Sequence, residues 1–267
     1  MRPKELARLI EATPRDRDGV VRVEGVVLDP RSAWPLRDNH RLRFERVDFG
    51  APLFGSFWTR PTFRGCVFVD CDLDGVNATR TSFVDCAFER LSVGRRLFSA
   101  FSRCAFRACT FVDCTLASAE LSECSFHDVA FTRCEIARTN FSRCALVDTT
   151  FTGALRTVNL TASAATRVDL RGCAIVDSSL LDGPELDLRL PDGPNNFVAY
   201  PRAFVAAVEA LEPVLSPGNH DELRAVAAFV AGSTYGEIVD ESLFARISAD
   251  QRGLVLERLF ALRDLRA

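Results

Sequence analysis

From Phe63 onward an apolar residue returns at every fifth position: Phe63, Phe68, Leu73, Ala78, Phe83, Phe88, Val93 and Phe98. The phase slips once to Phe101 and runs unbroken to Phe151, then slips again to Leu155 and runs on to Leu180. These make 25 units, of which 23 carry Phe, Leu, Ile or Val at the centre. A period of five fits neither a helix at 3.6 residues per turn nor a flat strand at 2. It fits a short strand followed by a corner. With the large residue called i, residues i−2 and i share one strand face, because side chains alternate. Residues i+1 and i+2 then turn the chain. Each unit is one side of a polygon, with i−2 and i inside and three positions outside.

The ten cysteines test this geometry. Cys66, Cys71, Cys86, Cys104, Cys109, Cys114, Cys124, Cys134, Cys144 and Cys173 all stand two residues before a unit centre. Most other i−2 positions hold Ala, Val, Thr or Ser, so the slot selects small side chains, and a free cysteine suits it as a small buried hydrophobe. The spacing never gives a CxxC pair or a nearby pair of histidines, so packing is expected and metal or redox chemistry is not. Cys66, Cys86, Cys104, Cys124 and Cys144 fall every fourth unit, which predicts one column on a four-sided coil.

Stretches such as CTFVDCTLASAELSECSF and TNFSRCAL resemble the pentapeptide repeat family, whose motif has a central Leu or Phe and a small residue two before it. The resemblance covers Phe63 to Leu180, with ragged units back to Phe44 and Phe49. It implies a mainly β protein, a right-handed, four-sided parallel β-helix with four units per turn. The expected division is an N-terminal cap at 1–42, the β-helix at 43–180, a connector at 181–196 and a C-terminal helical module at 197–267. Within the cap, Pro3–Glu11 reads as a helix and Val20–Leu28 as a strand. Helical spacing of apolar residues predicts helices near 201–215, 220–231, 235–246 and 249–265. Asn219 with Glu222, and Ser248 with Gln251, resemble capping boxes. The module is either a terminal cap or a binding and dimerisation unit.

Apolar residues at 48% and charged residues at 26% exclude disorder as the main state. No apolar run reaches the ~20 residues of a membrane helix. Met1–Ile10 carries Arg2, Lys4, Glu5 and Arg8 and has no apolar stretch, so no secretory leader and a cytoplasmic location are expected. Thirty-two of the 33 basic residues are arginine, which with abundant Ala, Val, Leu and Asp suggests a bacterial source. His40, His127 and His220 lie in three separate regions with no motif around them. No nucleophile elbow, zinc-protease or nucleotide-loop pattern occurs. The expectation is no enzyme, no cofactor and no metal. Three sequons, beginning at Asn77, Asn140 and Asn159, read as chance in a Ser- and Thr-rich repeat.

The family resemblance brings one further implication, because some pentapeptide repeat proteins, quinolone-resistance types included, act as DNA mimics on DNA gyrase. Mimicry needs a sustained negative field, since duplex DNA carries one charge per ~1.7 Å. Between Phe63 and Leu180 there are 13 acidic and 13 basic residues. Four units per turn would put Asp85, Arg103, Glu123 and Arg143 on one corner, an alternating ladder and not a stripe. Residues 1–60 carry +3 and residues 197–267 carry −3. The leading expectation is a non-catalytic scaffold for an unidentified protein partner, with no direct nucleic-acid or membrane binding. A gyrase modulator is the alternative, and a homodimer through the C-terminal module is open. Tyr200, Arg202, Tyr235 and Arg246 are the candidate partner-binding residues, because hot spots favour aromatic and arginine side chains.

Overall fold

The structure, a computed structural model, describes residues 2–27, 38–45, 47, 57–94, 99–161, 163–179, 186–191, 196–232 and 237–264. Each repeat unit is a short strand ended by a corner, and among the described residues all nineteen non-glycine residues with positive φ stand at i+2, with φ between 49 and 61°. The left-handed conformation is unfavourable for residues with a Cβ. It is offset here by the ladder it completes. The corner N–H donates to the i+1 carbonyl of the next coil, as from Arg60 to Thr79 (2.9 Å) and from Asp113 to Thr132 (3.0 Å).

Parallel pairing places corresponding units of successive coils over one another, giving a four-sided β-helix. The first face stacks Phe63, Phe83, Phe106, Phe126, Leu146 and Ala165. The second runs Val23, Phe44, Phe68, Phe88, Phe111, Phe131 and Phe151. The third carries Leu73, Val93, Leu116, Ile136, Leu155 and Ile175. The fourth carries Trp58, Ala78, Phe101, Leu121 and Phe141. Phenylalanine fills the first two faces because flat rings can stack at the coil spacing of ~4.8 Å. Phe106 and Phe126 lie 4.9 Å apart and 3° from parallel. Phe131 and Phe151 lie 4.6 Å apart and 2° from parallel.

Both phase slips fall beside a glycine in the left-handed region. At the first, Val93 and Phe101 are consecutive units, since Phe101 stacks on Ala78 and Phe106 on Phe83. The extra residues follow Gly94 (φ 68°), where a Cβ would come 1.9 Å from the Ala117 carbonyl oxygen. Phe98, expected as a unit centre, lies outside the described residues. At the second slip one residue is missing and Gly153 (φ 117°) lies against Cys134. A Cβ there would come 2.1 Å from the Cys134 oxygen.

The first slip turns everything after it by one face relative to the simple count. The expected cysteine column is therefore two: Cys66, Cys86 and Cys109 precede second-face phenylalanines, whereas Cys104, Cys124 and Cys144 precede first-face residues. All ten cysteines are buried and free. Their thiols also donate hydrogen bonds, from Cys86 Sγ to Phe63 O and from Cys124 Sγ to Phe101 O, each on the coil before. Thr139 and Ser163 do the same to Leu116 O and Phe141 O. The slot takes small residues, and those that carry a donor use a carbonyl of the coil before, which suits Ser and Thr as well as Cys. Burial pushes the Cys71 thiol up to about 11 and the Cys173 thiol up to about 12.

The coil extends past the repeat at both ends. Val21–Glu24 pairs with Leu42–Glu45 as an early strand, and helix α1 (Pro3–Ala12) puts Leu6 into the core there. The segment expected as a plain connector contains the strand Leu186–Arg189, which pairs in parallel with Ala164–Val176. Asn196–Ala199 and Glu237–Asp240 form an antiparallel hairpin. Helices α2 (Pro201–Leu211), α3 (Pro217–Ala231) and α4 (Ala249–Phe260) complete the chain, with 3-10 turns at Glu212–Val214, Glu241–Phe244 and Ala261–Asp264.

The helix expected at 235–246 is a strand and a 3-10 turn. The β-branched pair Ile238–Val239 sits in a run of four buried residues, too short for a helix and long enough for a strand buried on both sides. The expected capping boxes also differ. Asn219 lies inside α3, buried, and its Oδ1 accepts from Ser248 N–H at the start of α4 (3.1 Å). Gln251 Oε1 in α4 accepts from Ser216 N–H at the start of α3 (3.0 Å). Each helix therefore caps the other, and tertiary contact displaces the local box.

Candidate interaction surfaces

The last coil of a β-helix leaves N–H groups that would otherwise donate to a further coil. Carboxylates take that role here. Asp187 Oδ2 accepts from Arg167 N–H (3.1 Å), and Asp240 Oδ2 accepts from Asp177 N–H (2.9 Å). Asp240 Oδ1 accepts from Ser242 N–H (2.7 Å). Glu237 Oε2 accepts from the Ser179 hydroxyl (2.9 Å) and Oε1 from Ile238 N–H (3.0 Å). Glu237 and Asp240 are buried, so these bonds matter more than exposed ones would. Along the same strand Ile238 belongs to the core of the β-helix and Val239 to the core of the helices. The hairpin is the lid on the coil, and the three helices have a core of their own, built on Phe204, Leu223, Val255 and Leu259.

A cleft of about 170 Å³ opens where the lid meets the coil, lined in part by Asp177, Ser178, Phe229, Asp240 and Leu243. Sequence reasoning missed it because its walls come from segments some sixty positions apart. Its inner carboxylate, Asp240, is occupied by two N–H donors, which leaves it poorly placed to act as a base.

Tyr200 precedes α2 and is half-buried, and Arg202, in the first turn, is exposed. Arg246 is 83% exposed, with Glu222 at 3.9 Å. No hydrogen bond or ion pair among the described residues joins these three, and Tyr235 lies outside the described residues. His127 is exposed, as its outward position required. His220 packs its ring against the Glu212 carbonyl.

The corners carry most of the charge, in ladders. Arg90 reaches Asp70 (2.6 Å), Arg133 reaches Asp113 (2.7 Å), and Arg167 reaches Asp148 (2.5 Å). Glu123 takes both Arg103 (2.7 Å) and Arg143 (3.2 Å). The expected ladder thus holds for Arg103, Glu123 and Arg143. Asp85 belongs to another corner, because the extra residues after Gly94 put Arg80 and not Asp85 below Arg103. The Arg133 guanidinium holds the Asp113 carboxyl below its ordinary range, and Arg103 followed by Arg143 does the same for Glu123.

Residues 104–180 match the family model of a pentapeptide repeat region. The same five-residue unit repeats in the structure from Phe63, so this part of the chain is a pentapeptide repeat region. No curated protein matches its sequence. Among solved structures it is similar to full-length QnrB1, a plasmid-mediated fluoroquinolone resistance protein. That match has 15% identity and a TM-score of 0.31, over 64% of this chain and 84% of that one. It is also similar to HetL, a pentapeptide repeat protein involved in heterocyst differentiation regulation from the cyanobacterium Nostoc, with 16% identity and a TM-score of 0.33 over 72% and 98%. Superpositions this loose say nothing of a partner. Among the described residues no helix is long and apolar enough to cross a membrane.

Proposed function

We propose that the protein is a non-catalytic interaction protein, in which the β-helix is a rigid mount and the C-terminal helices present the surface a protein partner meets. The observation that carries this is the division of the core at one strand, with Ile238 on the coil side and Val239 on the helical side. Covering the last coil needs only the hairpin. Three further helices with their own core exceed that need. Arg202 and Arg246 are exposed on this module, and Tyr200 directly precedes α2. A homodimer through this surface is the simplest assembly. Ten free thiols suit a reducing cytoplasm.

Affinity capture from the cells that make the protein tests this, comparing wild type with the double variant Arg202→Glu, Arg246→Glu. The expected outcome is loss of the captured protein with an unchanged circular dichroism spectrum and melting temperature. Undiminished capture would place the contact elsewhere. The alternative, a gyrase modulator, lacks the sustained negative field of a DNA mimic, since the carboxylates Asp70, Asp113, Glu123 and Asp148 are each paired with an arginine. A supercoiling assay with purified gyrase is expected to show no change, and inhibition or protection at stoichiometric protein would favour the alternative.

A further inference from the structure

One corner stacks like charge over three coils, unlike the second-face corner, where Asp70, Arg90, Asp113 and Arg133 alternate. Between the fourth and first faces, successive coils carry Arg60, Arg80 and Arg103 at the left-handed i+2 position. Arg103 turns to Glu123. Among the described residues neither Arg60 nor Arg80 has an ion-pair or side-chain hydrogen-bond partner, and both are exposed. Like charges stacked on neighbouring strands are destabilising. Arg64 stands exposed on the adjoining first face, also without such a partner among the described residues. From Thr62 to His127 the outward positions of that face carry no carboxylate, and the acids in register beside it are Asp38, paired with Thr62 from the coil before, and Asp85 at its far corner. Thr59 and Thr79, both exposed, directly precede Arg60 and Arg80 in the chain. A local rule broken with no compensating contact is where a functional site is to be sought.

We propose that Arg60, Arg64 and Arg80 form a docking patch for an acidic segment of a protein partner. Guanidinium groups take carboxylates in bidentate fashion, with the neighbouring hydroxyls free to donate a further hydrogen bond. The patch is short. Arg60 and Arg80 are one coil step apart, ~4.8 Å, and the next coils bring Arg103 already paired and then Glu123. Nucleic-acid binding draws its strength from many phosphate contacts along a backbone, and an anionic strand continuing along this corner would meet Glu123. Two or three carboxylates of an extended acidic peptide fit the available charge.

The inference rests on the interaction reading above, yet a defined probe tests it whether or not the helices carry the native partner. Fluorescence anisotropy would follow a labelled decaglutamate peptide and a thymidine oligonucleotide of equal charge against the purified full chain. The peptide is expected to bind wild type, and Arg80→Gln to weaken it about tenfold or more. Arg156→Gln, which removes another exposed arginine, on the third face, should leave binding within about twofold. Arg80→Asp would give the corner the alternation seen elsewhere, so it is expected to abolish binding while raising the melting temperature by about 2 °C. Absence of peptide binding, equal losses for Arg80→Gln and Arg156→Gln, or tighter binding of the oligonucleotide would each overturn the proposal. A lower melting temperature for Arg80→Asp would also overturn it, because the arginine column would then be structural.

Discussion

A left-handed corner tolerates many side chains, but at the two phase slips Gly94 and Gly153 stand where a Cβ would strike the backbone of a neighbouring coil, which is not so of every glycine with positive φ. Gly25 and Gly153 both have positive φ, yet a Cβ on Gly25 meets nothing within 4 Å, whereas one on Gly153 would strike the Cys134 backbone. Gly153→Ala is therefore expected to destabilise by ~2–4 kcal/mol and Gly25→Ala by ~1 kcal/mol, measured by chemical denaturation. Inside the coil the cost of a change follows the stacks. Phe126 is 2% exposed and lies parallel to Phe106. Phe126→Ala should cost ~3–5 kcal/mol through lost transfer energy and a cavity. Arg107→Ala, at an exposed outward position, should cost under ~1 kcal/mol. Equal costs in a denaturant titration would contradict the inward and outward assignment. These positions were legible in the sequence because a five-residue period fixes which side chains point in. What it could not fix was the face each unit occupies after Gly94. That depends on how many residues the irregular unit absorbs, and so the cysteine columns and the place of Asp85 were displaced.

The lid hairpin is the element on which the C-terminal end depends. Asp240 accepts two N–H groups, one of them from the last coil. Asn at this position keeps one carbonyl oxygen and turns the other acceptor into a donor. Asp240→Asn is expected to cost ~1–3 kcal/mol and to speed amide exchange at Asp177 and its neighbours while residues around Phe68 stay protected. Uniform acceleration along the whole coil would mean that the lid does not act locally. This hairpin was hidden from sequence reasoning for a physical reason. Its strands are four residues each and forty positions apart, and no local period marks a pairing of that range. The three helices were legible because α2, α3 and α4 each bury one stripe, as Phe204, Val208 and Leu211 show. Of the candidate site residues, Arg202 and Arg246 were found as exposed arginines, but the unpaired Arg60 and Arg80 become visible only once the coils are in register.

At the scale of the whole molecule, charge is organised along corners and therefore answers to pH and salt together. Arg133 lowers Asp113 and Arg167 lowers Asp148, and Arg171 lowers Asp169 to about 2. A carboxyl lowered in the folded state adds stability that is fully present above its unfolded pKa and disappears as pH falls through the folded value. Melting temperature is thus expected to hold level from neutrality down to the ordinary carboxylate range, then to decline toward pH 2. These pairs are largely solvent-exposed, so the decline should shrink in high salt. A melting temperature that rises on acidification would contradict the ladder. The strand shared by two cores has a mechanical side. A load applied to the end of α4 runs back along the chain to Glu237–Asp240 before it reaches any part of the coil, and that strand is held to Asn196–Ala199 over only four residues. The lid is then the fuse of the assembly. Once it has peeled away, the turns beneath can unspool one after another, from the C-terminal end toward Val21.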